Sequence, residues 1–426
     1  MTSSPLSIPD FRYYLIARFA AVLATMGMAV IIAYQVYDVA RADYGMSIRE
    51  ASLQLGLVGL AQFVPLLLLT PLAGWIADRF ERRTVARLAN AIDMVVALSL
   101  GWFTANEALT LPLLFTFAAL HGVARVFVGP AMSAIAPNIV PPAILPKAIA
   151  LSSIAWQSAS VAGPALGGFL YAADPAAPYW SAAALMLVAI IAMTPIRRVV
   201  PPPISGNAHP IRQMVDGLTY VRGHRFLFGA ITLDLFAVLL GGATAMLPVF
   251  ARDILDVGTE GLGLLRAAPA VGAALVALWF VWRPLKHDVG IKMLASVAAF
   301  GALTIAFGLS RDFALSLAVL AALGAADMLS VYVRSSLVQL HTPDAMRGRV
   351  SAVSGLAISA SNELGELQSG IAAAILGPVV AVVAGGAAAI GIAGLWSYLF
   401  PELRLTRTFD PPKSMLAEAL MEEKPI

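Results

Sequence analysis

Apolar residues run through this chain in blocks long enough to cross a lipid bilayer, each closed by a short polar stretch. A spanning helix needs roughly 20 such residues to cross about 30 Å of hydrocarbon. Blocks of that length fall near 11–37, 51–77, 84–105, 110–138, 145–172 and 179–196, and again near 226–252, 261–283, 290–309, 313–339, 350–375 and 378–399. Backbone groups in lipid must bond within their own segment, and these runs are too long and too evenly apolar for barrel strands, so the pattern predicts helices. The expected architecture is an all-α membrane protein with twelve transmembrane helices in two six-helix bundles. Residues 1–196 form the first bundle and 226–400 the second, with a cytoplasmic linker at 197–225 and a cytoplasmic tail at 401–426. In the linker, Pro201-Pro202-Pro203 is expected to break helix six, and Ile211 to Val221 has apolar residues at helical spacing, which predicts an amphipathic helix on the membrane surface.

Composition sharpens the picture. With 59% apolar residues, 12% charged and a mean hydropathy of +0.82, the chain lacks the polar surface of a soluble domain. The net charge of +3 is small and dispersed, which gives nucleic-acid binding no support. Basic residues instead speak to topology. With the N-terminus inside, 20 of the 28 Lys and Arg residues fall in inner loops and tails, five outside (Arg41, Arg49, Arg252, Arg266, Arg311) and three within spans. That bias predicts a membrane protein with both termini in the cytoplasm. Zero cysteines exclude disulfides, thiolate metal sites and cysteine nucleophiles. Met1 to Asp10 is short and polar and shows no cleavable signal, so helix one is expected to remain.

Charges inside the spans are the sharpest chemistry, because each costs roughly 2.5 kcal/mol or more at mid-helix unless it faces a partner or water. Five acids lie there, Asp93, Asp234, Asp327, Glu363 and Glu366, with three arginines, Arg18, Arg125 and Arg334. All five acids are candidates to carry a coupling proton. Glu363 and Glu366 stand three apart and share a helical face, where two carboxylates resist ionising together. Asp93 has a plainer reading as a packing partner of Asn90 or of an arginine. Arg334, late in its span, reads as an interfacial anchor. His121, one turn before Arg125, is either a proton shuttle or a hydrogen-bonded packing residue. Polar and aromatic candidates for a substrate cavity are Tyr34, Gln35, Trp156, Gln157, Phe236, Tyr332, Asn362 and Gln368.

The two halves also look like copies. Gly122-Val123-Ala124-Arg125 corresponds to Gly324-Ala325-Ala326-Asp327 at an offset of 202, and Arg18 to Leu23 resembles Asp234 to Leu239 at an offset of 216. Arg125 thus matches Asp327 and Arg18 matches Asp234. These four are expected to form a charge network along a central cavity, with Arg125 and Asp327 as its direct pair.

Between the second and third spans the chain reads Gly74-Trp75-Ile76-Ala77-Asp78-Arg79-Phe80-Glu81-Arg82-Arg83. This hinge resembles the loop between helices two and three of the major facilitator superfamily of secondary transporters, with Glu81 where that motif usually has glycine. Ala159 to Gly168, with Gly163, Pro164, Gly167 and Gly168, resembles the antiporter motif of drug:proton exporters, though Ala150 and Ala159 replace upstream glycines. Thr342 to Val350 and Gly261 to Pro269 resemble the branch that includes the enterobactin exporter. The resemblance implies a cytoplasmic gate built from Gly74, Asp78, Arg79, Arg82, Arg83, Arg347 and Arg349, with Asp78 as its latch. The bland alternative is that these arginines only anchor topology at the headgroups. For the glycines of helix five the alternative is ordinary small-residue packing.

No enzymatic signature competes: the chain has no His-Glu-x-x-His, no phosphate-binding Gly-x-x-x-x-Gly-Lys and no Gly-x-Ser-x-Gly. It is therefore expected to be no enzyme, to hold no cofactor or metal, and to draw on an ion gradient. The leading expectation is a monomeric, proton-coupled exporter of an amphipathic drug-like or siderophore-like molecule. The alternatives are a proton-coupled importer of a small nutrient and a non-transporting receptor or lipid-handling scaffold.

Overall fold

The computed structural model describes residues 4–198 and 210–409, and all regular structure among them is helical. We number the main helices α1 Pro9–Ala42, α2 Ile48–Arg79, α3 Arg82–Ala105, α4 Leu111–Ser133, α5 Leu145–Ala173, α6 Ala177–Met193, α7 Pro210–Gly223, α8 Arg225–Leu240, α9 Gly258–Trp282, α10 Val289–Leu309, α11 Phe313–Leu340, α12 Asp344–Leu376 and α13 Pro378–Leu399. Each of the twelve apolar blocks is largely helical. Among the described residues, nine of these helical segments are long and apolar enough by themselves to cross a bilayer.

Helix starts follow local chemistry. Ser47 and Glu50 close a reciprocal cap on α2: the Ser47 hydroxyl accepts from the Glu50 amide at 3.3 Å, and the Glu50 carboxylate accepts from the Ser47 amide at 2.8 Å. Asp312 caps α11 by accepting from the Leu315 amide at 2.7 Å. At the other end of a helix, α6 stops at Met193, ahead of Pro195. The triple proline expected to break helix six lies outside the described residues, and the helix has ended before it.

The chain forms two compact units. One comprises Met1–Asn207 with Ala245–Ala267, the other Ala208–Thr244 with Ala268–Ile426. In the first, α1 packs along α5 and α6, α2 along α4, and α3 along α4 and α6. Its core gathers Phe11, Tyr14, Met132, Ile135 and Met193 around a run of alanines, whose small side chains let helices approach closely. In the second, α10 packs against α11 and α13, and α8 against α12 and α13, around Leu227, Leu233, Met293, Val333 and Trp396. The amphipathic segment is a helix, α7, and it packs on the start of α12. Gly217 faces the Arg349 carbonyl there so closely that a Cβ would stand 2.9 Å from the oxygen, while Val215 and Leu218 point outward.

Span seven departs from the expected single helix. α8 ends at Leu240, and Gly241 and Gly242 lead into a 3-10 turn at Ala243–Met246, a short helix at Leu247–Val249 and a π turn at Phe250–Ile254. The break has a packing cause: a Cβ on Gly242 would collide with the Ser369 hydroxyl, which donates to the Gly242 carbonyl at 3.3 Å. Ser369 thus takes up a carbonyl that the interrupted helix leaves over.

Candidate functional site

A cavity of about 150 Å³ opens in the first unit between α1, α4 and α5. Arg18, Thr25, Met26, Arg125, Met132 and Trp156 are among its walls. The Arg18 guanidinium donates to the Tyr14 hydroxyl at 3.2 Å, and that hydroxyl bonds Ser152 of α5 at 2.9 Å. Arg125 donates to the buried Gln62 of α2 at 2.6 Å. Two cations, with Tyr14 and Gln62 among their partners, thus stand at the edge of a space that Trp156, 41% exposed, completes with an aromatic face. An amphipathic molecule carrying negative or hydrogen-bond-accepting groups suits such a wall.

In the second unit, Asp234 of α8 forms an ion pair with Arg334 of α11, both buried. Arg334 is thus no interfacial anchor. Its position late in the span suggests the headgroup region, but the carboxylate of Asp234 draws it inward, since a buried charge is tolerated when paired. Beside the pair is a pocket of about 10 Å³ lined by Asp234, Ser296, Asp327 and Ser330 among others. Asp327 has no hydrogen bond or ion pair to any described residue. The sequence-matched quartet is therefore seen as two pairs, Arg18 with Arg125 on one cavity and Asp234 with Asp327 on another.

Asp93 of α3 is bonded to His121 of α4, Oδ1 to Nδ1 at 2.7 Å, with both side chains buried. Its partner is neither Asn90, which donates to the Ala86 carbonyl, nor an arginine. The other ring nitrogen of His121 has no hydrogen-bond partner among the described residues. Glu363 and Glu366 lie half-buried on α12.

The arginines of the α2–α3 loop do more than face headgroups. Arg82 donates to the Ala134 carbonyl at 3.2 Å, beyond the end of α4, and Arg83 donates to the Thr194 and Ile196 carbonyls at 3.1 and 2.5 Å, beyond the end of α6. Carbonyls left over at helix C-termini are natural acceptors for cations. Arg79 lies over the Trp75 ring at 4.7 Å. Glu81, standing where the family motif has glycine, has φ −59° and ψ 114°, so this backbone needs no glycine. Its carboxylate pairs with Arg83 at 3.0 Å and accepts from Thr84 at 2.7 Å. A Cβ on Gly74 would meet nothing within 4 Å. The side chain of Asp78 lies outside the described residues. In the second unit Arg349 stands 3.8 Å from Asp216 of α7, and Arg347 is exposed.

On α5, Gly163 and Gly167 press on α1. A Cβ on Gly163 would meet the Leu23 carbonyl at 2.7 Å, and one on Gly167 the Gly27 carbonyl at 3.3 Å. Gly168 faces the other way, against Thr259 and Gly263 in the first turns of α9. Pro164 sits inside the helix between these contacts.

One cluster escaped the sequence reading. At the end of α1, Tyr37 donates to Asp253 at 2.5 Å, Arg41 pairs with the same carboxylate at 3.2 Å, and Arg252 pairs with Asp38 at 2.5 Å. Arg41 and Arg252 stood out only as outer basic residues. The available signal was an acid within three residues of each.

Other cavity candidates are spread. Gln35 is buried, taking a 2.5 Å bond from Tyr179 and giving one of 3.2 Å to Thr104, while Tyr34 sets its ring edge against Tyr171. The Phe236 ring lies tilted against that of Trp396 and the Tyr332 ring against that of Phe280, and Gln157 and Asn362 are exposed. Gln368 borders an open apolar groove along α12. Among the described residues no group of three or more His, Asp or Glu side chains is placed to hold a metal.

A helical bundle that spans the membrane, with charged residues and a cavity inside it, defines a membrane transport protein rather than an enzyme. The sequence profile of the Major Facilitator Superfamily matches residues 17–366, and the chain belongs to that family. It is 27% identical over 409 residues to the enterobactin exporter EntS of Escherichia coli O1:K1, covering 95% of this chain and 94% of that one. It is 27% identical over 410 residues to that of Citrobacter koseri, with the same coverage. Among solved structures, a bacterial homolog of the human lysosomal transporter Spinster, inward-facing and unoccupied, superposes with a TM-score of 0.70 at 16% identity, covering 93% of this chain and 99% of that one. The D-xylose–proton symporter does so with a TM-score of 0.71 at 15% identity, covering 92% and 98%.

Proposed function

We propose that this transporter is a proton-coupled exporter of an amphipathic organic molecule, drug-like or siderophore-like, working by alternating access as a monomer in the bacterial inner membrane with both termini in the cytoplasm. The observation that carries this reading is the cavity that sets Arg18 and Arg125 beside the indole of Trp156. Charge and an aromatic face together fit an amphipathic molecule better than a plain sugar. Export is supported by the exporter relatives, which align along nearly the whole chain. Coupling to protons is supported by the acids held within the spans, where ionised carboxylates are costly and therefore rarely idle. The α2–α3 loop, with Asp78 as latch and Arg82 and Arg83 as ties, serves as the cytoplasmic gate. The cluster of Tyr37, Asp38, Arg41, Arg252 and Asp253 closes the opposite end.

Everted membrane vesicles test the whole reading, with enterobactin as first probe and anionic amphipathic dyes as second. Acidifying the lumen should drive accumulation of one probe, and collapsing the pH gradient should abolish it. Accumulation only in intact cells, driven by an inward proton gradient, would instead establish an importer.

A further inference from the structure

Asp234 is buried and neutralised by Arg334, but Asp327, half-buried at mid-span on α11, has no ion pair among the described residues. The elements packed around it offer little else. α8 brings Asp234 and, at its start, Arg225, which pairs with Glu402; α10 brings only Lys292 at its first turn, which bonds the His287 carbonyl; residues 268–282 of α9 bring no charge. On its own helix Asp327 has Arg334 seven residues on, two turns along the same face. The pocket between the two carboxylates is lined by Ser296 and Ser330 and holds about 10 Å³, room for about one water molecule. A sodium ion would have to compete with Arg334 for the Asp234 carboxylate and gather its oxygen ligands around a space of only about 10 Å³. A proton needs neither ligands nor volume.

We propose that Asp327 is the proton-carrying residue of this transporter and Asp234 its fixed counter-ion, with Arg334 holding Asp234 ionised and the one-water pocket joining the two carboxylates. The Asp327 carboxylate takes one proton from water to become the neutral acid and returns it to water on release, while Asp234 stays bound to Arg334 throughout. This inference rests on the proton-coupled reading and narrows five candidate acids to one.

The test needs no substrate. Infrared difference spectra of the full chain in liposomes, recorded while the pH is stepped, report the carbonyl stretch of a protonated carboxylic acid. The wild-type protein should gain that band as the pH falls, and Asp327→Asn should lose it. Asp327→Glu should keep the band at a displaced frequency, which maintains the test if the Asn variant fails to fold. In Asp234→Asn, Arg334 becomes free to face Asp327, and the band should appear about one pH unit lower because a nearby cation favours the ionised form. A band untouched by Asp327→Asn would overturn the assignment, as would stabilisation by sodium at constant pH that depends on Asp327. The proton-coupled reading fails separately. A titrating Asp327 without proton movement during enterobactin or dye transport would retire the coupling and keep the site, and coupled proton movement surviving in Asp327→Asn would do the reverse.

Discussion

Tyr37 donates its hydroxyl to Asp253 at 2.5 Å across 216 residues of chain, the same offset that matches Arg18 with Asp234 in the internal repeat. Positions equivalent in the two copies thus meet within one compact unit, and Arg41, Asp38 and Arg252 surround the contact. Loss of the shared acceptor should loosen this end. Asp253→Asn removes bonds to a charged group, each worth about 1.5–3 kcal/mol, enough to change an open-to-closed ratio roughly ten- to a hundredfold. The chain has no native cysteine, so a single cysteine at Tyr34, 7% exposed, reports opening directly. Maleimide labelling there should rise in the Asp253 variant. Equal rates in both backgrounds would show that the cluster does not hold the end closed.

The glycines of α5 separate from the glycine of the loop. Gly163→Val and Gly168→Val force a side chain into the backbone of α1 or α9, and overpacking of this kind costs about 1–3 kcal/mol. Gly74→Ala meets open space and should stay within about 0.5 kcal/mol of the wild type. Thermal unfolding in detergent distinguishes them, and a melting point lowered as much by Gly74→Ala as by Gly168→Val would contradict the packing account.

The buried pair of Asp93 and His121 should behave as a unit. Removing one partner leaves the other stranded in the α3–α4 seam, at a cost of about 3–5 kcal/mol. His121→Leu should therefore destabilise the first unit strongly, and adding Asp93→Leu should return part of the loss. A double variant no better than the sum of the singles would mean the two do not interact.

His341 lies just past the end of α11, its ring 4.1 Å from that of Phe226 and its Nδ1 bonded to the Leu337 carbonyl at 2.9 Å. Burial lowers its pKa below the ordinary 6.5. The folded chain therefore prefers the neutral ring. Above pH 6.5 this has no effect on stability, and below it the unfolded chain binds the proton more readily, so stability is lost as the pH falls through 6.5 towards the folded value. His341→Phe keeps the stacking and lacks the titration, so its melting point should fall less than that of the wild type between pH 7 and pH 5. Parallel curves would assign the acid sensitivity elsewhere.

Much of the fold is legible in the sequence because lipid forces backbone bonds to close locally, so long apolar runs become helices with little help from distant residues. What escapes is whatever depends on a remote partner. Gly241 and Gly242 look like ordinary small residues in an apolar run until Ser369 is seen to need the space. Arg334 looks interfacial until Asp234, 100 positions earlier, takes it inward. Glu81 looks like a defect in the loop motif, yet its backbone lies in a region any residue adopts, and Arg83 gives its side chain a partner. The reverse holds for Asp38 and Asp253, which carry no motif and matter only because Arg252 and Arg41 stand opposite them.

Assigning Ala245–Ala267 to the unit built by the first half has a covalent consequence. The backbone passes from one unit to the other three times, at 207/208, at 244/245 and at 267/268. A cut in the 199–209 stretch therefore severs one tether and leaves two. Both remaining crossings lie in the C-terminal piece, whose Ala245–Ala267 packs within the unit of the N-terminal piece, so a chain nicked there should stay associated with no bond across the nick. The halves of the gene are not the mechanical halves of the molecule.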